Sequence, residues 1–334
     1  MKGKAMAVNE PGARRRVGSR IILFNELILV SVLVLICILI SIGSPKFLSS
    51  TNVLNVLRDS SMDVIAAIGM TMLLITGEVD LSIGSLVAFV GVVTMDVTNK
   101  THNVALGVAA GLGLGLLTGL VNGVVRTKLK VNSLIGTIAM MMVLRGGVYI
   151  YRVAAVQNYH SLDAFFQIGN GYVGFLPIPI LIMAVLYLAF LFIVTRTTIG
   201  RRLYASGGNA TAARISGIDV DRLKIGTFMT ASLLAAVAGV ILVSRMNSGQ
   251  PNAGQGFEIS VVAGVILGGT GLGGGEGTLI GTLIGVFILK VINNGIILLG
   301  WNQDLQIVIA GAVLIVAVYL DNKRKAARAL IITT

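Results

Sequence analysis

Apolar runs dominate this 334-residue chain and recur at about the length of one membrane crossing. A helix rises 1.5 Å per residue, so crossing a hydrocarbon core of ~30 Å takes roughly 20 apolar residues. Runs near that length lie at about 21–43, 62–77, 83–98, 103–125, 131–152, 177–195, 225–246, 258–270, 278–297 and 304–321. The pattern predicts an all-α, polytopic membrane protein with about ten transmembrane helices. Several runs are short or broken by glycine, which a bilayer tolerates only where protein or a water-filled cavity satisfies the freed backbone groups. One break spans Gly77 to Gly84 and another Gly268 to Gly277. Each carries a glutamate, Glu78 or Glu276, and returns through small residues into Ser-Leu-Val or Thr-Leu-Ile. Such likeness suggests an internal repeat. A separation of six spans does not fit a five-plus-five inverted repeat, and the question stays open.

Composition and charge sharpen this picture. With 55% hydrophobic residues and a mean hydropathy of +0.91, too little polar surface remains to cover a soluble globule. The net charge of +12 is distributed as a topology signal. Of 26 Lys and Arg, 19 fall in four stretches that ten spans would place on one side: the N-terminal tail, the loop after span four, the loop after span six and the C-terminal tail. The opposite loops hold Lys46, Arg58 and Lys100, with Arg152 and Arg245 at span edges. Both termini are therefore expected in the cytoplasm. The chain divides into a tail over 1–20, a transmembrane domain over 21–321 with a cytoplasmic loop at 195–224, and a tail over 322–334. Basic residues confined to short inter-span stretches do not imply a nucleic-acid partner; the partner surface is membrane lipid. The cluster Arg14 to Arg16 before the first run imitates a secretory signal, but the stretch 27–42 exceeds a signal core and many spans follow, so a retained helix is expected. Cys37 is the single cysteine and excludes an intrachain disulfide.

No constellation for catalysis stands out. Gly269-x-Gly271-x-x-Gly274 has the spacing of a dinucleotide fingerprint, but apolar spans flank it where a strand and a soluble helix are required. There is no G-x-x-x-x-G-K-[ST] loop, so the chain has no ATP site of its own. His102 and His160 lie in loops without cysteine or carboxylate at ligand spacing, so neither a metal nor another cofactor is expected in this chain. The polar residues Asn122, Thr137, Arg145, Lys290, Asn293 and Asn294 fall within spans. They either line a pathway or bond helix to helix, and Arg145 and Lys290 can also snorkel to an interface. Glycines 107, 111, 113, 115 and 119 along the fourth span are expected to let helices approach closely. The segment Gly77-Glu78-Val79-Asp80-Leu81-Ser82-Ile83-Gly84-Ser85 is the most informative. Two carboxylates in an apolar setting are costly, and must sit at an edge, in a pathway or against a partner.

This segment resembles the G-[GE]-[IV]-D-L-S-[VI]-G-S signature of the membrane subunits of bacterial ABC importers for ribose and related sugars. The loop after span six carries a second resemblance. Thr198 to Ala210 reads as a Gly/Ser/Asn turn and Thr211 to Ile218 as a short helix ended by Gly217. Its spelling, including Arg201, Tyr204, Gly207, Gly208, Asn209, Ala212, Ala213 and Gly217, matches the T-x-x-G-R-x-x-Y-A-x-G-G-N-x-x-A-A-x-x-x-G-I pattern of sugar-importer permeases. The resemblance runs from about Phe47 to Leu320. It covers a permease family that also holds branched-chain amino-acid and nucleoside members, and points to its monosaccharide branch. Glu78 stands where many relatives have a second glycine.

The resemblance implies a permease that, with a second copy or a paralogue, forms the pathway of a sugar importer in the bacterial inner membrane. Two cytoplasmic ATPase subunits would bind ATP and Mg2+, and a periplasmic binding protein would deliver the sugar and carry most of the selectivity. It implies that the loop 195–224 docks on the ATPase, and that Glu78, Asp80, Ser82, Asn122, Asn293 and Asn294 belong to the pathway. Alternatives are the same machine for nucleosides or branched-chain amino acids, or an ion-coupled secondary transporter with Glu78 and Asp80 as ion ligands.

Overall fold

In a computed structural model, residues 11–158, 163–316 and 318–319 are described. Helices account for nearly all of their regular structure. In chain order these are α1 (Pro11–Gly43), α2 (Ser50–Ile75), α3 (Ile83–Thr101), α4 (Val104–Thr127), α5 (Ser133–Tyr151), α6 (Asp163–Asn170), α7 (Ile178–Arg196), α8 (Thr198–Gly208), α9 (Ala210–Ile215), α10 (Val220–Met246), α11 (Phe257–Leu267), α12 (Leu279–Leu298) and α13 (Leu305–Val316). Four two-residue strands form two antiparallel pairs, β1 (Val156–Gln157) with β4 (Ser248–Gly249) and β2 (Tyr172–Val173) with β3 (Leu176–Pro177). The chain is all-α and polytopic, as its hydrophobic pattern requires.

Each of the ten apolar runs coincides with a helix, but the lengths differ from the expectation. Among the described residues seven helices are long and apolar enough to cross a membrane: α1 (over Glu26–Gly43), α3, α4, α5, α7, α10 and α12. Helix α2 is 26 residues long, with Arg58 and Asp59 in its first half and Asp63 at its midpoint. Helices α11 and α13 are shorter, and α11 with 11 residues rises only about 16 Å. Helix α1 begins at Pro11, so part of the expected N-terminal tail is helical. The expected C-terminal tail and His160 lie outside the described residues.

The shortness of α11 has a structural cause. After α10 the chain turns back into the bundle, where Gly249 packs on Val92 midway along α3 and Gly254 reaches Gly84 near its start. The Arg145 guanidinium donates to the carbonyls of Pro251 and Ala253 at 2.8 and 2.9 Å. Arg145 thus holds a non-helical stretch inside the bundle and does not snorkel. Helix α11 has only the remaining depth to cover.

Helix α10 is the central post, packed against α2, α3 and α4. Small residues permit this. A Cβ on Gly115 would lie 2.5 Å from the Ala236 Cβ, one on Gly119 2.6 Å from the Met229 Cα, and one on Gly123 2.8 Å from the Ile225 Cα. These positions, four residues apart, form one stripe of α4. Gly107 and Gly111 continue it against Thr98 and Thr94 of α3. Gly113 departs from the expected packing role, for it points away from this stripe with no neighbour within 4 Å. Apolar side chains on α1, α5 and α7, such as Ile42, Met142, Val143, Val185 and Phe192, are exposed on the chain's outer surface, as a lipid solvent requires.

Gly119→Val should therefore force α4 from α10, a typical overpacking cost of about 1–3 kcal/mol. Gly113→Ala should be neutral or gain up to ~1 kcal/mol of helix propensity. Unfolding of the purified chain in mixed micelles measures both; equal effects at the two glycines would contradict the stripe.

Candidate functional site

The break between α2 and α3 is built from residues that answer each other's unmet hydrogen bonds. Helix α2 stops at Ile75, and Gly77 turns the chain with φ +76°, a left-handed conformation natural to glycine. The chain then runs without helix to Ser82, which leaves backbone amides unpaired inside protein. The Val79 amide donates to Ser133 Oγ at 3.4 Å and the Leu81 amide to Thr137 Oγ1 at 3.1 Å, both hydroxyls from α5. The Ser82 amide and hydroxyl donate to Asp80 Oδ1 at 2.8 and 2.6 Å.

Both carboxylates are enclosed. Asp80 Oδ2 accepts from Asn122 of α4 at 3.2 Å and from Ser232 of α10 at 3.4 Å, and the Asn122 amide also donates to Ser82 Oγ at 3.0 Å. Glu78 accepts from Arg126 Nε of α4 at 2.6 Å and from Lys224 Nζ of α10. Asn122 lies one helical turn before Arg126, and Ser232 two turns after Lys224, so the two carboxylates are read at successive depths by the same pair of helices. Asp80 and Ser82 are fully buried, and Glu78 and Asn122 are 2% and 4% exposed. These four residues, expected in a pathway, form a closed polar knot. Thr137 likewise serves the break.

Beside this knot three turns interlock. The Gly275 amide donates to the Ile75 carbonyl at 2.8 Å, joining the two glycine breaks that look alike in sequence. Gly207, near the end of α8, slots between them: a Cβ there would collide with the Ile75 carbonyl oxygen and lie 2.6 Å from the Gly275 amide. The Tyr204 hydroxyl donates to the Gly277 carbonyl at 2.8 Å, and burial pushes its phenol up, so it stays a donor at neutral pH. Thr71 of α2 and Thr282 of α12 add a hydroxyl pair at 2.8 Å.

The loop after α7 differs from its expected form. Thr198 to Gly208 is a helix where a Gly/Ser/Asn turn was expected; Thr197 caps it through the Ile199 amide, and Leu203 and Ser206 are buried. Helix α9 begins after Asn209, whose side chain accepts from the Ala212 amide at 2.9 Å, and Gly217 follows its end with φ +82°. Of the eight residues expected to dock on a partner, Arg201, Gly208, Asn209, Ala212 and Gly217 are exposed, and Tyr204 and Gly207 are partly covered by the chain itself. Ala213 is only 4% exposed and packs inward, so it is not free for a partner. Ile215 is 83% exposed on α9, an apolar side chain with nothing of this chain over it.

Asn294 and Asn293 separate. Asn294 pairs with Asn52 through two amide hydrogen bonds of 2.9 Å, tying α12 to α2, while Asn293 lines a cavity of about 490 Å3. Ser133, Ser232 and Asp63 were not singled out from sequence. Asp63 forms an ion pair with Lys290 at 2.7 Å. A lone acid in one apolar run and a lone base in another was the available signal.

Asp80→Ala leaves the Ser82 amide and hydroxyl without their acceptor and takes one of two acceptors from the Asn122 amide, at about 1–3 kcal/mol for each unmet group. We expect greatly lowered membrane abundance. Ser232→Ala removes only a 3.4 Å contact and should cost under ~1 kcal/mol. Quantitative immunoblotting of membranes checks both; normal abundance of Asp80→Ala would contradict the knot.

Comparison with known proteins shows the family of this chain. Residues 52–318 match the family described as branched-chain amino acid transport system / permease component. The chain is 40% identical over 289 residues to the ribose import permease protein RbsC of Escherichia coli strain K12, covering 86% of this chain and 90% of that protein. It is 41% identical over 288 residues to RbsC of Bacillus subtilis strain 168, covering 86% and 89%. It is also 39% identical over 285 residues to the L-arabinose transport system permease protein AraH of Escherichia coli strain K12, covering 85% and 87%. No solved structure matches. The chain is a multi-pass membrane protein and belongs to the branched-chain amino acid transport system / permease component family.

Proposed function

We propose that this chain is the permease subunit of an ATP-driven ABC importer for a monosaccharide. Family membership makes it a transport subunit and not an enzyme. The observation that carries the sugar assignment is identity of about 40% along most of the chain to permeases for ribose and L-arabinose. Nothing in the comparisons favours nucleosides, amino acids or ion coupling; Glu78 and Asp80, enclosed by their own chain, offer no open ion site.

In this reading all ten helical runs act as crossings, with α11 aided by the re-entrant stretch before it, and both termini face the cytoplasm of the bacterial inner membrane. The tails 1–20 and 322–334 flank the transmembrane domain. The turns at Ile75–Glu78, Gly207–Gly208 and Gly274–Gly277 then lie at the cytoplasmic end, where Arg126 and Lys224 also sit. A second copy or a paralogue completes the pathway and a periplasmic binding protein supplies the sugar. Partner ATPases bind ATP and Mg2+ and meet the exposed side of α8–α9. Force on α8 reaches the breaks before α3 and α12 directly, because Gly207 and Tyr204 touch both.

Two outcomes test this. Alkaline phosphatase fused after Lys130 or Lys224 should be inactive and fused after Tyr159 active; the reverse would overturn the topology. Ile215→Asp and Ala212→Trp, at exposed positions, should leave the chain at normal abundance but lower ATPase co-purification and ATP-dependent uptake at least tenfold. Wild-type uptake by both, abolished by a proton or sodium ionophore, would favour the ion-coupled reading.

A further inference from the structure

The polar knot leaves one sizeable group of polar side chains unused. A cavity of about 490 Å3 lies among α2, α10, α11, α12 and α13, within the ~300–1,000 Å3 range of small-molecule sites. Asp63, Lys290, Asn293, Gln255, Gln306 and Ser260 line it. Asp63 lies midway along α2 and Lys290 near the middle of α12, and the Asp63 carboxylate is buried. A buried ion pair is costly unless further hydrogen bonds satisfy its remaining donors and acceptors. Among the described residues nothing hydrogen-bonds the side chains of Asn293, Gln255 or Gln306, although each amide offers both donors and an acceptor.

We propose that this cavity is a station inside each permease chain where the sugar rests during passage, a claim that rests on the monosaccharide reading above. The chemistry fits a neutral polyhydroxyl ring. The Asp63–Lys290 pair, at 2.7 Å, cancels its own charge, so the site has no net charge to attract an anion or a cation. Lys290 retains donors and Asp63 retains acceptors beyond their shared bond, and three amides plus Ser260 add more of both. Adjacent sugar hydroxyls, each a donor and an acceptor, can use such an alternation. Phe257, Met62 and Ile307 supply apolar wall for the C–H face of the ring. Ile259 and Ile307 at the rim are 44% and 75% exposed, so the cavity has a mouth at the chain's surface.

The test uses the whole complex of permease, ATPase and binding protein in proteoliposomes. In a Cys37→Ser background, Asn293→Cys on one wall and Gln306→Cys on the other are each alkylated with N-ethylmaleimide during ATP turnover. Binding protein loaded with D-ribose or L-arabinose should slow alkylation at least threefold relative to empty binding protein. Asn293→Leu and Gln306→Leu should lower uptake at least tenfold, with ATP hydrolysis measured in parallel to confirm assembly. Alkylation that ignores the sugar at both positions, or wild-type uptake by both leucine variants, overturns the station. Failure of the unmodified complex to import any monosaccharide is a different result: it would sink the functional reading itself.

Discussion

A carboxylate inside a membrane protein must find its solvent in the protein, and Asp80 shows how much follows from that. Its two oxygens take four hydrogen bonds, from the Ser82 amide and hydroxyl, Asn122 and Ser232. Those partners come from the start of α3, from α4 and from α10. The carboxylate therefore fixes where α3 can begin, and so how deep the break before it extends. The glycine stripe of α4 brings α10 close enough for Ser232 to reach. Remove the close approach and the aspartate loses a partner; remove the aspartate and the break loses its cap.

Glu78 extends the same logic to the rim. It gathers two cations, Arg126 and Lys224, from the helices that also serve Asp80. Its side chain points at two basic groups and not into a tight turn. Around it, the turns at residues 75–77, 207–208 and 274–277 touch one another through backbone atoms.

Much of this was legible in the residues. The apolar runs located every long helix, and the glycines flanking Glu78 and Asp80 located the break between α2 and α3. A sequence shows that Asp80 needs partners, but not that they are Ser82, Asn122 and Ser232 of the same chain. Thr198 to Gly208 was read as a turn from its Gly, Ser and Asn, yet burial of Leu203 and Ser206 stabilises a helix that local propensity does not favour. Gly207 meeting Ile75 and Gly275 is a contact across more than sixty residues in each direction, and no local pattern announces it. The partners of Arg145 and Asp63 were illegible for the same reason: the carbonyls of 251 and 253, and Lys290, are distant in sequence.

The dependence of the fold on Asp80 is tested most directly by a double-mutant cycle of Asp80→Ala and Asn122→Ala. The free energy of unfolding would be measured on the purified chain in mixed micelles. If the two side chains hold one another, their effects are strongly non-additive, with a coupling energy of about 1–3 kcal/mol. Additive losses, with coupling below ~0.5 kcal/mol, would show that Asp80 does not organise these helices.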